Sequence, residues 1–291
     1  MKLTGRWMAL VAAAAAFAGT TATQAQQAAL QPSAPLYNTA KAKLLAGKRV
    51  FSFTQSTMDP AGYCEKAKHY DFTWFEMQHS TLEFKDVEAM IAACPHVAAT
   101  PMIRLPDAQE WHIQHATDIG ALGVVIPTVD DVDRAREAAK WARYPPVARR
   151  SQGQNQATGI WGVNGINYRQ TINDNMLVVI MIETPTGVAN AFDIASVPGV
   201  DVVITGNNDL SSFSGFAPTD ERYHQLVKKV HDDTLRAGKI FGQAAAANAD
   251  GPYSFDGRFY QNGPSNDGWV PPAVRGAAPA NVNAPPKGEE P

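Results

Sequence analysis

The stretch LVVIMIETPTGVANAFDIASVPGVDVVITGNNDLS, Leu177 to Ser211, decides the fold. It opens on an unbroken apolar run, Leu177–Ile182, and closes on a second, Val202–Thr205. A run that is apolar throughout, rather than alternating, is a strand covered on both faces. Between the two runs, Gly187–Ala195 reads as helix. Strand, helix, strand in that order gives parallel strands with a right-handed crossover. Each strand ends on polar residues: Glu183 after the first, and Asn207, Asn208 and Asp209 after the second.

The same unit recurs in both directions. Further strand-like runs are Val50–Phe53, Phe72–Phe75, Thr100–Leu105 and Val124–Ile126 upstream, with a weaker one at Ile240–Gly242 downstream. Amphipathic segments separate most of them: Ala61–His69, Phe84–Ala93, Gln109–Asp118, Val132–Ala142 and Asp220–Ala237. Repetition on this scale predicts an α/β TIM (β/α)8 barrel rather than an open sheet. The eighth unit is irregular. After Gly242 the chain reads QAAAANADGPYSFDGRFYQNGPSNDGW, rich in Gly, Asn, Asp and Pro, with no normal strand or helix. The barrel therefore closes irregularly, or a neighbouring subunit completes it. Arg143 to Asn175 reads as one long loop, of the kind that is functional or mobile.

The flanks differ in composition. Lys2 and Arg6 precede an apolar stretch, Trp7–Ala18, suited to the h-region of a secretion signal and short for a membrane span. Small residues up to Ala25 suit a signal peptidase. The expected organisation is a signal peptide over 1–25, an N-terminal arm over 26–45, the barrel over 46–269, and a disordered Pro- and Ala-rich tail over 270–291. The expected location is periplasmic or secreted, with no membrane association after cleavage. In an oxidising compartment Cys64 and Cys94 are either bridged, contributing roughly 3–4 kcal/mol, or two buried thiols. The chain of 291 residues is 45% hydrophobic with a net charge of −3. That balance provides no basic footprint, so no nucleic-acid partner is expected.

The Walker, GxSxG, HExxH and GxGxxG signatures are missing. The chemistry instead collects where the strands end. Glu76, Gln78 and His79 follow the second strand, Arg104 ends the third, Glu183 follows the fifth, and Asn208 and Asp209 follow the sixth. In an α/β barrel these positions share the face where active sites form. Glu183 and Asp209, on adjacent strands, would repel unless a cation or a shared proton compensates. A hard divalent ion, Mg²⁺ or Mn²⁺, fits oxygen ligands of this kind. The other reading is a carboxylate pair with backbone or arginine partners, Arg104 being the counter-ion.

Five stretches, FEMQHS (75–80), PMIRLP (101–106), ATDIGALGVVIPTV (116–129), RYPP…RRSQG (143–153) and 182–211, carry a likeness to a known family. From about Val50 to Gly242 the chain resembles the hydroxy-oxo-acid aldolase/citrate lyase family, the metal-dependent pyruvate aldolases. The resemblance implies a TIM barrel that assembles as a homo-oligomer. It implies a divalent metal on Glu183 and Asp209, and pyruvate chelated to it. Arg104 then stabilises the enolate, while His79, paired with Asp118, acts through a water on the metal that serves as base. Backbone amides of Gly206–Asp209 hold the pyruvate carboxylate, with Gln78, Asn208 and Asp209 as the substrate-binding candidates. Two departures stand out: Glu76-Met77-Gln78-His79 replaces the common Asp-x-Glu-His, and Gly206-Asn207 replaces Gly-Pro.

The expected function is an exported metal-dependent carbon–carbon lyase acting on a 4-hydroxy-2-oxo acid or a related oxo acid. The alternative is a periplasmic oxo-acid-binding protein with a degenerate aldolase site.

Overall fold

Parallel pairing follows directly from the apolar runs. In the computed structural model, which describes residues 36–153, 155–162, 168–245 and 249–270, eight parallel strands close into a barrel in chain order. They are β1 (Val50–Gln55), β2 (Phe72–Glu76), β3 (Thr100–Arg104), β4 (Gly123–Ile126), β5 (Leu177–Ile182), β6 (Val202–Thr205), β7 (Ile240–Gln243) and β8 (Phe259–Tyr260). Every residue of β2, β4, β5 and β6 is buried, as the unbroken apolar runs require. Most of the expected helices lie on the outside: α2 (Pro60–Lys66), α3 (Phe84–Ala93), α4 (Glu110–Asp118), α5 (Val132–Ala142) and α11 (Glu221–Arg236). The segment expected as one helix after β5 is two short ones, α8 (Pro185–Ala189) and α9 (Ala191–Ala195), meeting at Asn190.

Side chains on a strand alternate in direction. One set, including Phe75, Ile103, Val124, Ile180 and Val203, packs outward against the helices. The other, including Phe72, Trp74, Met102, Leu177, Val179, Met181, Val202 and Ile204, fills the barrel interior. Continuing the inward set two residues further gives Glu76 after Trp74, Arg104 after Met102 and Glu183 after Met181. The barrel interior is therefore apolar below and charged at its C-terminal end.

Four features depart from the sequence reading or complete it. First, residues 39–45, within the expected arm, form helix α1 (Thr39–Leu45). Its Ala40 and Leu44 join the inner core and close the floor of the barrel. The cap Asn38 bonds Leu122 O at 3.1 Å and Asn175 O at 2.8 Å, fixing the helix there. Second, the segment Arg143–Asn175 contains two helices, α6 (Gln156–Trp161) and α7 (Tyr168–Asn175). Asn173 exchanges hydrogen bonds with the backbone of Tyr144 and ties the ends of the segment together.

Third, the eighth strand exists but is only two residues long, pairing Phe259 with Val50 and with Gly242. A Cβ on Gly242 would lie 2.1 Å from Phe259 O, so only glycine permits this closure. No helix separates β7 from β8 among the described residues. Fourth, Cys64 of α2 is bridged to Cys94 at the end of α3, so the bridged alternative is the one the fold adopts. The expected signal peptide, residues 26–35 of the arm, and the tail beyond Val270 lie outside the described residues. No described helix is long and apolar enough to cross a membrane.

Candidate active site

The charged layer at the C-terminal end of the strands contains two different carboxylate environments. Glu76 and Arg104 are register partners on β2 and β3. Arg104 donates to Glu76 Oε2 through Nε at 2.7 Å and, more closely, through Nη2. The Trp74 indole donates to the same oxygen at 3.0 Å. Oε1 accepts the backbone amides of Gln78 at 2.9 Å and His79 at 3.0 Å. Burial opposes this charge, but Arg104, Trp74 and the His79 amide outweigh it and hold the carboxyl below its ordinary range. The guanidinium also lies over the Trp74 ring, 5.5 Å from its centre. Arg104 thus has one dominant orientation and its own counter-ion, Glu76. It does not fill the role of direct counter-ion to Glu183 and Asp209.

Glu183 is 1% exposed. Its Oε1 accepts two bonds from Thr128, the backbone amide at 2.7 Å and the hydroxyl at 2.9 Å. Gly206 packs against the other oxygen, where a Cβ would lie 2.1 Å from Oε2. Asp209 sits in the first turn of α10 (Asn207–Ser214), directly after β6. Burial raises the Glu183 carboxyl above its ordinary range; Thr128 and the more distant Arg104 oppose this, while Asp209 adds to it. Among the described residues neither carboxylate has a Lys, Arg or His within ion-pair distance. No third acidic, histidine or cysteine side chain joins them in a metal-sized cluster. The pair is an acidic site with no ion-pair partner among the described residues.

The remaining sequence-derived residues fall out as follows. His79 is exposed just beyond β2, and its imidazole has no partner among the described residues. Gln78 is half-buried, with its Oε1 enclosed and unpartnered. Asn208 is exposed in the first turn of α10. The amide of Gly206 donates to Ile182 O at 3.0 Å and is not available to a ligand. The amides of Asn207, Asn208 and Asp209, having no earlier helical turn, are.

Asp118 is the clear correction: within one chain it does not pair with His79. It ends α4, whose direction carries it away from the strand C-termini. There its Oδ1 accepts from Arg150 Nη2 at 2.7 Å and its Oδ2 from Gln114 at 2.8 Å. The Arg150 side chain is fully buried, so that partner is fixed.

Residues 57–249 match the HpcH/HpaI aldolase/citrate lyase family. The chain belongs to that family. It is similar to 2-keto-3-deoxy-L-rhamnonate aldolase of Shigella sonnei, 29% identical over 76% of this chain and 82% of the relative. It is also similar to 2-dehydro-3,6-dideoxy-6-sulfogluconate aldolase of Pseudomonas putida, 31% identical over 58% of this chain. That match spans 64% of the relative's length. The crystal structure of an HpcH/HpaI aldolase from Desulfitobacterium hafniense superposes with a TM-score of 0.71 at 27% identity, covering 77% of this chain and 89% of the other.

Two residues contact Glu183 in ways the sequence did not indicate: Thr128, which was not singled out, and Gly206, which was expected only for its backbone amide. Thr128 supplies both donors to Glu183 from a left-handed backbone, φ 49°. Nothing in a threonine after a strand signals that conformation. Gly206, at the start of α10, is required by its contact with Glu183, which is visible only once β5 and β6 are adjacent.

Proposed function

We propose that this chain is a metal-dependent carbon–carbon lyase that releases pyruvate from a 4-hydroxy-2-oxo acid or a related oxo acid. The observation that carries this reading is the uncompensated pair Glu183 and Asp209 beside an arginine that Glu76 already holds. Burial and mutual repulsion leave the pair in need of a cation, and two oxygen donors plus water and substrate suit Mg²⁺ or Mn²⁺. When bound, such an ion would act as a Lewis acid on the oxo oxygen.

The chain's own groups supply the rest. Arg104 presents a fixed positive charge at the mouth, where negative charge develops on the pyruvate half as the C–C bond breaks. Because Glu76 fixes it beforehand, little reorganisation accompanies the reaction. His79, exposed and unpartnered, is placed to take the proton of the substrate hydroxyl, directly or through water. The amides of Asn207, Asn208 and Asp209 at the start of α10 suit the substrate carboxylate. Gln78, beside His79, is the remaining substrate-binding candidate, although its Oε1 is enclosed in this structure. Asp118 takes no part from within the same chain. The two relatives' names both denote acids with an oxo group at carbon 2 and a deoxy carbon 3, which supports this substrate class.

A periplasmic oxo-acid-binding protein is the second reading, favoured by the neutral Gln78 and the unpartnered His79. One assay separates the two. The protein is incubated with Mn²⁺ or Mg²⁺ and a panel of hydroxy-oxo acids, and pyruvate is measured with and without a chelator. Pyruvate release that the chelator abolishes is expected. Binding without release would favour the second reading, and turnover undiminished by the chelator would exclude the metal.

Export belongs to the same proposal. The basic and apolar N-terminus supports it, and so does a Cys64–Cys94 bridge, which persists in oxidising compartments. Mass spectrometry of the native protein should give an N-terminus near Gln26. Exposed Met58, Trp111 and Phe213 lie soon after strand C-termini and support a homo-oligomer.

A further inference from the structure

We propose that Thr128 is a positioning residue that sets the cation affinity of the site by fixing Glu183. The inference rests on the reading of Glu183 and Asp209 as cation ligands. Thr128 has φ 49°. A β-branched residue in the left-handed region is an outlier, because its Cβ substituents crowd the backbone there. Such a conformation persists only where the surroundings over-determine it.

Here the surroundings do so. Val129 N donates to Met181 O at 3.1 Å and extends the β4–β5 pairing past Thr128. The Asp130 carboxylate accepts the Thr184 hydroxyl, and Asp130 O accepts Asn190 Nδ2 at 2.7 Å. Thr184 in turn caps α8 through Gly187 N at 3.0 Å. The β4 loop is thereby stitched to the β5 loop on the far side of Thr128, and the backbone has no slack to relax.

The result of this conformation is specific. The amide and the hydroxyl of one residue both aim at one oxygen, Glu183 Oε1. With Oε1 doubly held and Gly206 against Oε2, the carboxylate plane cannot rotate freely. Thr128 therefore keeps Glu183 oriented for a cation, without touching the cation or the substrate. Because the hydroxyl contributes separately from the backbone, its share can be removed alone.

The test is Mn²⁺ binding to the full chain without substrate, followed by the electron paramagnetic resonance of free Mn²⁺. Thr128→Val keeps the shape and the amide but loses the hydroxyl. A lost hydrogen bond to a buried charge should weaken the Mn²⁺ Kd by about tenfold or more. Thr128→Ser keeps the hydroxyl and should bind within about twofold of the parent. Should Thr128→Val not fold, Thr128→Ala removes the same hydroxyl without β-branching and takes its place. Equal affinity of the parent and the hydroxyl-free variant overturns the inference and leaves the metal reading intact. Loss in Thr128→Ser equal to that in Thr128→Val also overturns it, since packing rather than the hydroxyl would then be responsible. A parent chain that binds no Mn²⁺ overturns the metal reading, and the inference with it.

Discussion

Two carboxylates occupy the same layer of the barrel and have opposite surroundings. Glu76, at the end of β2, receives bonds from Arg104, Trp74 and two backbone amides, and its carboxyl is held low. Glu183, after β5, receives two bonds on one oxygen, faces Asp209, and its carboxyl is pushed high. Both are almost fully buried. Burial alone therefore does not tell a structural carboxylate from a ligand-seeking one; the completeness of its partners does. Glu76 has every lone-pair direction used, and its work is to hold Arg104. Glu183 has an oxygen left over and a like charge beside it, a state that the proposed cation would relieve.

The sharpest way to break this comparison is the same substitution on both sides. Glu76→Gln leaves the Arg104 guanidinium buried without a counter-charge. Breaking a buried pair in this way costs roughly 3–5 kcal/mol. Glu183→Gln keeps an oxygen for Thr128 while removing a charge that burial and Asp209 both oppose. In metal-free protein it should be close to neutral or slightly stabilising. Chemical denaturation in the presence of a chelator measures both. Equal losses in the two variants would mean that the partner count carries no functional information here.

The next effect concerns rate. Arg104→Lys keeps a positive charge but loses the planar fork that engages Glu76 through two nitrogens while facing the site. Loss of one such oriented donor costs ~10²–10³ in kcat. His79→Ala should separate from it. Cleavage of a hydroxy-oxo acid needs a hydroxyl proton removed, whereas oxaloacetate decarboxylation needs only the developing enolate stabilised. Arg104 variants should lose both reactions and His79 variants mainly the first. Small and equal losses in both would make these side chains structural, and the lyase mechanism proposed for this site would fall.

The difference between the two sides also marks how far the sequence could be read. Glu76, Arg104 and Glu183 were legible because strand alternation extends the inward apolar set by one step onto a charge. Asp209 was legible because it follows the next strand at once. Asp118 bonds Arg150 and not His79 within this chain, as chain direction implies: a helix after a strand runs back down the barrel, so its last residue lies away from the strand C-termini of its own chain. Thr128 was not legible at all, since threonine disfavours the conformation it adopts, and only the loops stitched around it impose that conformation. Helix α1 was hidden in an Ala-, Gln- and Pro-rich segment, and Ala40 and Leu44 are the buried apolar residues of the helix. Strand β8 was hidden because its pairing depends on Gly242 admitting a backbone oxygen, a contact between residues distant in sequence.

The smallest effect is a difference of slope with pH, and it has opposite sign on the two sides. Each carboxyl has an ordinary value of 4.5. Glu76 is lowered in the fold, so folding favours its ionised form. Its stabilisation is present above the unfolded value and is lost as pH falls through the folded one. Glu183 is raised in the absence of a metal, so folding favours its protonated form. Its stabilisation is present below 4.5 and is lost as pH rises through the higher folded value. One proton changes stability by at most about 1.4 kcal/mol per pH unit, so the comparison needs variants rather than absolute curves. In chelator-treated protein, the advantage of the parent over Glu76→Gln should shrink on acidification below 4.5. The advantage of Glu183→Gln over the parent should instead grow on raising the pH above 4.5 and then level off. Saturating Mn²⁺ should reverse this second trend, because a cation stabilises the ionised form that burial opposes. A Glu183→Gln difference that stays flat with pH, with and without Mn²⁺, would mean the carboxyl is not perturbed and that Asp209 is too well solvated to repel it.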